Sequence, residues 1–67
     1  MYIIACYEHN GTKTYYKDNG NNTFDKSADI AQATTFENED NALDVVECLD
    51  AWYNQNIGVF CVEDKGA

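Results

Sequence analysis

The chain has 67 residues, with twelve acidic side chains against four lysines, no arginine and a net charge of −8. This length allows one small domain with a thin core, so we expect a single domain over residues 1–67. Its charge excludes nucleic acid and anionic membranes as good partners and favours a basic protein surface. A hydrophobic content of 45% predicts a folded chain rather than a disordered one.

The first third of the sequence predicts a β-hairpin. Tyr2–Glu8 is rich in Ile and Tyr and is typical of a strand buried on both faces. Asn10-Gly11 supplies the positive φ angles of a tight hairpin turn. Thr12–Asp18 then alternates, which predicts a half-exposed second strand. The long side chains that share one face of it are Lys13, Tyr15 and Lys17.

The middle of the chain predicts shorter elements. Asn19–Asn22 consists of residues that tolerate left-handed conformations and predicts a second turn or short loop. A short third strand is expected at Thr23-Phe24, and a helical turn at Ser27–Gln32. Thr34–Phe36 is β-branched and then aromatic, so we expect it to return to the sheet.

Residues Glu37–Gln55 predict one amphipathic helix around which the chain is organised. Asn38 is the expected N-cap, and the helix should end near Asn54–Asn56, where an Asn or Gly58 can adopt a left-handed conformation. Residues in the expected apolar sector are Ala42, Val45, Val46, Leu49, Trp52 and Tyr53.

A final apolar strand is expected from Ile57 or Gly58 to Val62, followed by a frayed polar tail at Glu63–Ala67. The predicted fold is therefore α+β in β-β-α-β order. A small antiparallel sheet of three to four strands should carry the main helix on one face. The first and last strands are the most apolar, so we expect them to be neighbours in the sheet centre.

The cysteines and the N-terminal segment indicate the compartment. Cys6, Cys48 and Cys61 are an odd number without a C-x-x-C pair, which favours a reducing cytosol over a disulfide framework. The apolar opening lacks a basic n-region and is too short for a signal peptide or a membrane span. We expect a soluble cytoplasmic protein, in which the N-x-T triplets at Asn10 and Asn21 are not glycosylated.

No motif predicts catalysis, a metal site or a cofactor. His9 is the only histidine, and on a strand its side chain and that of Cys6 point to opposite faces, so a catalytic dyad is not expected. The ligand spacing of zinc sites is missing. Residues 18–22 resemble the start of an oxygen-rich loop but lack the glycine and distal glutamate of an EF-hand. We therefore predict a protein that is not an enzyme.

Acidic side chains are concentrated in the second half of the chain. From Ser27 to Asp64 there are nine acids and neither Lys nor Arg. Like charges three or four residues apart on a helix are about 5–6 Å apart and destabilise it, a spacing similar to that of neighbouring phosphates. One interpretation is that this face imitates a nucleic-acid backbone; the other is that it only keeps the protein soluble. The candidate partner-binding residues are Glu37, Glu39, Asp40, Asp44, Glu47 and Asp50.

Three segments, M-Y-I-I at the start, Y-Y-K-D-N-G at the second turn and T-F-E-N-E-D-N-A before the helix, resemble open reading frames of bacteriophages. In size, charge and pattern the chain is similar to the small acidic anti-CRISPR proteins of phages and mobile elements. This resemblance implies a monomeric, phage-encoded DNA mimic in the host cytoplasm. Its partner would be a basic nucleic-acid-binding protein such as a Cas subunit.

An alternative hypothesis is a non-catalytic interaction module. It would bind a protein, or a second copy of itself, through the sheet face that carries Tyr15 or through an exposed edge strand. Salt-insensitive association would favour this alternative, because apolar contacts are not screened by salt in the way that charge pairs are.

Overall fold

The computed structural model describes residues 1–20, 23–53 and 56–65. These residues form one antiparallel sheet in the order β3-β2-β1-β4 and a helix that packs on one of its faces. The predicted α+β fold is thereby confirmed. The strands and the helix are β1 (Tyr2–Glu8), β2 (Lys13–Gly20), β3 (Thr23–Ser27), α1 (Glu39–Tyr53) and β4 (Gly58–Asp64).

Strand β1 lies in the centre of the sheet. It pairs with β4 along its whole length and with β2 at Ala5, Cys6 and Tyr7. Residues 3–6 are all buried, as predicted for a strand covered on both faces. The first and last strands are neighbours, but the prediction that both are central is wrong for β4. The hairpin places β2 on the other side of β1, so β4 becomes an edge strand.

The hairpin turn forms where Asn10-Gly11 predicted it. Gly11 N donates to Glu8 O at 3.0 Å, and Glu8 N donates to Thr12 O at 2.9 Å. The side chain of Asn10 accepts from Thr12 N at 2.9 Å. With Gly11 at φ 91°, the connection has the pattern of a three-residue loop that ends in a glycine bulge.

Strands β2 and β3 are longer than the sequence predicted. Asn19 and Gly20 belong to β2, and Gly20 pairs directly with Thr23, so the predicted loop at Asn19–Asn22 is wrong for its first half. Its second half, residues 21–22, lies outside the described residues. Backbone pairing with β3 continues across the register shift between Asp18 and Gly20, so this segment remains in the strand despite its Asn-Gly composition.

The segment between β3 and α1 returns to the sheet as expected. A 3₁₀ turn spans only Ile30–Gln32. The observed turn is therefore shorter than the predicted one and begins later than Ser27. Thr34 N then donates to Tyr16 O at 3.0 Å, while Tyr2 and Phe36 exchange two backbone hydrogen bonds of 2.8 Å. This segment therefore bonds to both β1 and β2 immediately before the helix begins.

Helix α1 packs through its small and aliphatic residues onto β1 and β4. Its buried residues are Ala42, Val46 and Leu49, and they share a core cluster with Ile4, Cys6 and Phe60. Val45 and Tyr53 are partly buried against this cluster, as predicted.

Trp52, in contrast, is 63% exposed, so its placement in the buried sector was wrong. The helix packs mainly on β1 and β4, and Trp52 lies beside Tyr16 and Phe24, where the helix does not pack closely on β2 and β3.

The ends of α1 agree with the predicted ones to within one or two residues. The helix begins one residue after Asn38, whose carbonyl accepts from Ala42 N at 3.4 Å. It ends at Tyr53, and the predicted cap at Asn54 lies outside the described residues. Gly58 is not a helix cap but the first residue of β4.

The C-terminal tail is ordered for longer than predicted. Glu63 and Asp64 continue β4, and Lys65 N donates to Met1 O at 2.9 Å. The expected frayed tail is therefore wrong for residues 63–65, because β1 offers pairing partners up to its first residue. Residues 66–67 lie outside the described part of the chain.

Gly58 is required because β4 approaches β1 closely at this position. A Cβ atom at Gly58 would lie 2.3 Å from Tyr7 O and 2.6 Å from Glu8 Cα. Gly58→Ala should therefore destabilise the fold by about 1–3 kcal/mol, the usual range of overpacking. Urea unfolding followed by circular dichroism measures the change.

Gly11→Asn is the matched control, because nothing lies within 4 Å of its Cβ position and Asn tolerates a positive φ. Its free energy of unfolding should stay within about 1 kcal/mol of the parent. Equal stabilities of the two variants would contradict the close approach at Gly58.

Candidate binding surface

Three of the six candidate carboxylates form a continuous acidic face on the outside of α1. We use this name for Asp40, Asp44 and Glu47. They are spaced four and three residues apart, and all three are exposed. The spacing places them within about 60° of one another around the helix, opposite the buried residues Ala42 and Leu49.

The other three candidates are placed differently. Glu37 is exposed and precedes the helix, while Glu39 is exposed in its first turn, where the helix dipole favours an anion. Asp50 is half-buried, and its Oδ1 is inaccessible and without a hydrogen-bond partner in the described structure. Asp50 can therefore present no more than its other oxygen to a partner.

The lysines do not neutralise the acidic face. Across residues 1–20, 23–53 and 56–65 there are two salt bridges, Lys13–Glu63 at 3.1 Å and Lys26–Glu8 at 3.4 Å. Both join strands of the sheet, and neither involves a residue of α1. Since all four lysines lie on strands or directly after β4, the negative charge of the helix remains available to an external partner.

The sheet face turned away from α1 carries a polar cluster around Lys13. Its Nζ lies 5.0 Å from the ring centroid of Tyr7 and 5.4 Å from that of Tyr15, within the range of cation–π attraction. The hydroxyl of Tyr7 donates to Glu63, which also accepts from Lys13. This hydrogen bond raises the pKa of Tyr7, and the contacts of Lys13 with Tyr7 and Glu63 raise the pKa of Lys13 as well.

The thiols are in surroundings that do not activate them. Cys6 is buried, and burial raises its pKa; Cys61 is half-buried, and burial raises its pKa too. Cys48 is exposed on α1, a helix that carries no Lys, Arg or His. His9 lies in the exposed hairpin turn while Cys6 is in the core, so the structure does not bring them together as a dyad.

The described residues contain neither a candidate metal site nor a candidate membrane-spanning helix. They contain no group of three or more His, Cys, Asp or Glu side chains arranged to hold a metal ion. None of the helices in this part of the chain is both long and apolar enough to cross a membrane.

The sequence did not predict a groove of about 370 Å³ between α1 and the β2–β3 half of the sheet. Tyr16 and Phe24 line one wall, and Val45 and Trp52 line the other. The alternation in β2 does place Tyr16 on the same face as Thr14. No sequence signal, however, indicates that the helix lies off-centre and leaves this face uncovered.

Comparisons with known proteins do not assign the chain to a family. No protein-family model matches it. No curated protein matches it significantly, and neither does any solved structure.

Measuring the pKa of Glu63 tests whether the hydrogen bonds of the cluster around Lys13 form. The hydrogen bond from Tyr7 is the main reason that this pKa lies below its usual value; Lys13 also lowers it, and burial opposes both. A lowered carboxyl pKa stabilises the fold at pH values above the unfolded pKa, and the contribution disappears as the pH falls through the folded pKa. Tyr7→Phe should move the pKa of Glu63 upward, measured by NMR titration of its side-chain carboxyl.

Tyr15→Phe is the control, because it keeps a ring beside Lys13 and leaves the Tyr7–Glu63 hydrogen bond intact. It should leave the pKa of Glu63 at the parental value. An unchanged pKa in Tyr7→Phe would show that this hydrogen bond does not form in solution.

Proposed function

We propose that the chain is a non-catalytic DNA mimic that inhibits a nucleic-acid-binding protein. The acidic face of α1 occupies the basic groove in which that protein binds DNA or RNA. Following the resemblance of the sequence to anti-CRISPR proteins, the target class is a Cas subunit of a bacterial defence complex. The chain would act as a stoichiometric inhibitor in the cytoplasm of the host cell.

The observation that carries this proposal is the separation of charge within the molecule. Asp40, Asp44 and Glu47 repel one another, and like-charge pairs at these spacings cost about 0.2–0.5 kcal/mol each. The helix dipole favours Asp40 in the first turn, but neither of the two described salt bridges compensates the repulsion within the acidic face, because both join strands of the sheet. The same carboxylates would attract a partner with lysine and arginine side chains, and this attraction would speed the encounter of the two proteins.

The test is competition for DNA on purified, guide-loaded Cas effector complexes. Fluorescence anisotropy of a labelled target duplex measures how much chain is needed to displace it. The triple variant D40N/D44N/E47Q should need about threefold to 150-fold more protein, from three exposed charge pairs of roughly 0.2–1 kcal/mol each. Displacement by the parent should weaken as salt is raised.

A matched control removes the same charge elsewhere. D25N/D29N/D64N also neutralises three carboxylates, but these lie on β3, before the 3₁₀ turn and on β4. The substitution Asp29→Asn preserves the cap of that turn, because Asn caps as well as Asp does. If both triple variants lose the same inhibition, net charge rather than the acidic face is responsible, and the proposal fails.

The second candidate function, self-association, rests on edge strand β4. Tyr7 and Val59 are paired neighbours in the sheet, and they are 44% and 49% exposed, which leaves an apolar patch beside an unprotected edge. A second copy could pair there through β4. Light scattering that shows a salt-insensitive dimer, abolished by Val59→Lys, would favour this candidate over the DNA mimic.

A further inference from the structure

The groove beside α1 exists because the helix covers only half of the sheet. Its buried residues pack over β1 and β4. Over β3 it makes an edge contact between Tyr53 and Phe24, whose ring centroids lie 5.7 Å apart, and beside that contact the same face of β2 and β3 is open. There Tyr16 and Phe24 pack ring against ring with centroids 5.3 Å apart. Val45 and Trp52, which lie about two turns apart on α1, form the opposite wall.

The chemistry of the groove combines aromatic faces with unneutralised carboxylates. Asp18 lines it from β2 and Asp44 from α1, and both are exposed. Neither is in a described salt bridge. None of the described residues that line the groove is a lysine, an arginine or a histidine. The groove therefore offers a negative rim and an apolar floor, and its volume is within the range of ligand pockets.

An arginine side chain satisfies both features at once. Its methylene stem can cover apolar surface while the charged end remains at the rim. The planar guanidinium stacks on aromatic rings and pairs with carboxylates through two parallel hydrogen bonds. Trp is the strongest partner for such a cation, and Arg occurs in these contacts more often than Lys.

We infer that this groove receives an arginine side chain from the basic partner, between Trp52 on one wall and Tyr16 and Phe24 on the other. Asp18 and Asp44 pair with the guanidinium at the rim. The inference deepens the proposed function, on which it rests for the identity of the partner as a basic protein. It adds a shaped, specific contact to the long-range attraction of the acidic face.

The experiment titrates capped arginine (Nα-acetyl-arginine methylamide) into the ¹⁵N-labelled full chain and follows amide and Trp52 indole shifts by NMR. Saturable shifts at Phe24, Val45 and the Trp52 indole are expected. Capped citrulline is the matched probe, because it has the same stem and shape without the positive charge. It should bind at least about threefold more weakly, since it loses the cation–π and ion-pair contributions.

Two variants locate the contact without a large risk to folding. Trp52→Ala removes an exposed side chain and should weaken arginine binding about threefold or more. Asp29→Asn, which removes one charge outside both the acidic face and the groove lining, should leave it unchanged. Circular dichroism verifies that both variants are folded.

Several results would overturn the inference. Equal binding of arginine and citrulline would make the groove an apolar pocket rather than a cation site. Shifts confined to Asp40 and Glu47, with none at Trp52, would leave the acidic face as the only cation-binding surface. That last result contradicts the groove assignment alone. Full DNA displacement by D40N/D44N/E47Q, together with saturable arginine binding at Trp52 in the parent, would contradict the proposed function and leave the groove as an arginine site.

Discussion

The structure depends on how helix α1 is held against the two most apolar strands. Ala42 is completely buried, so the helix backbone can approach the sheet closely near its first turn. Leu49 then fills the space against Ile4 and Phe60 in the same cluster. Truncating a buried Leu of this kind typically costs about 2–5 kcal/mol, a large share of the stability of a small domain. This contact therefore decides both the rotation and the lateral position of the helix.

The rotation and the lateral position have different functional consequences. The rotation that buries Ala42, Val46 and Leu49 turns Asp40, Asp44 and Glu47 outward, because 3.6 residues per turn places the two sets on opposite sides. The lateral position over β1 and β4 leaves β2 and β3 only partly covered, through the contact of Tyr53 with Phe24, which creates the groove. One packing contact thus presents the acidic face and opens the neighbouring aromatic groove.

The sequence predicted the features that depend on local pattern. The hairpin at Asn10-Gly11, the central strand β1 and the helix around Val46 all follow from turn chemistry and hydrophobic periodicity. The features that it missed depend on the neighbours of each element. Trp52 has the apolar character of a core residue, yet an open groove separates it from the strands opposite, β2 and β3. Glu63 has the polarity of a tail residue, yet β1 continues far enough to pair with it. The groove could not be predicted, because it requires the lateral position of the helix.

The positions of the lysines explain how a chain with this charge can fold and still present its acids. Lys13 is held between the rings of Tyr7 and Tyr15 and bonded to Glu63, and Lys26 is paired with Glu8. The Lys13–Glu63 bridge joins β2 to β4 across β1, and the Lys26–Glu8 bridge joins β3 to β1 across β2. Because the few cations neutralise carboxylates of the sheet, the remaining repulsion is concentrated on one exposed helix, where water and salt screen it. A lysine on α1 would relieve that repulsion, but it would also reduce the charge that a basic partner meets. The fold therefore tolerates the acidic helix because none of the described salt bridges that stabilise the sheet depends on α1.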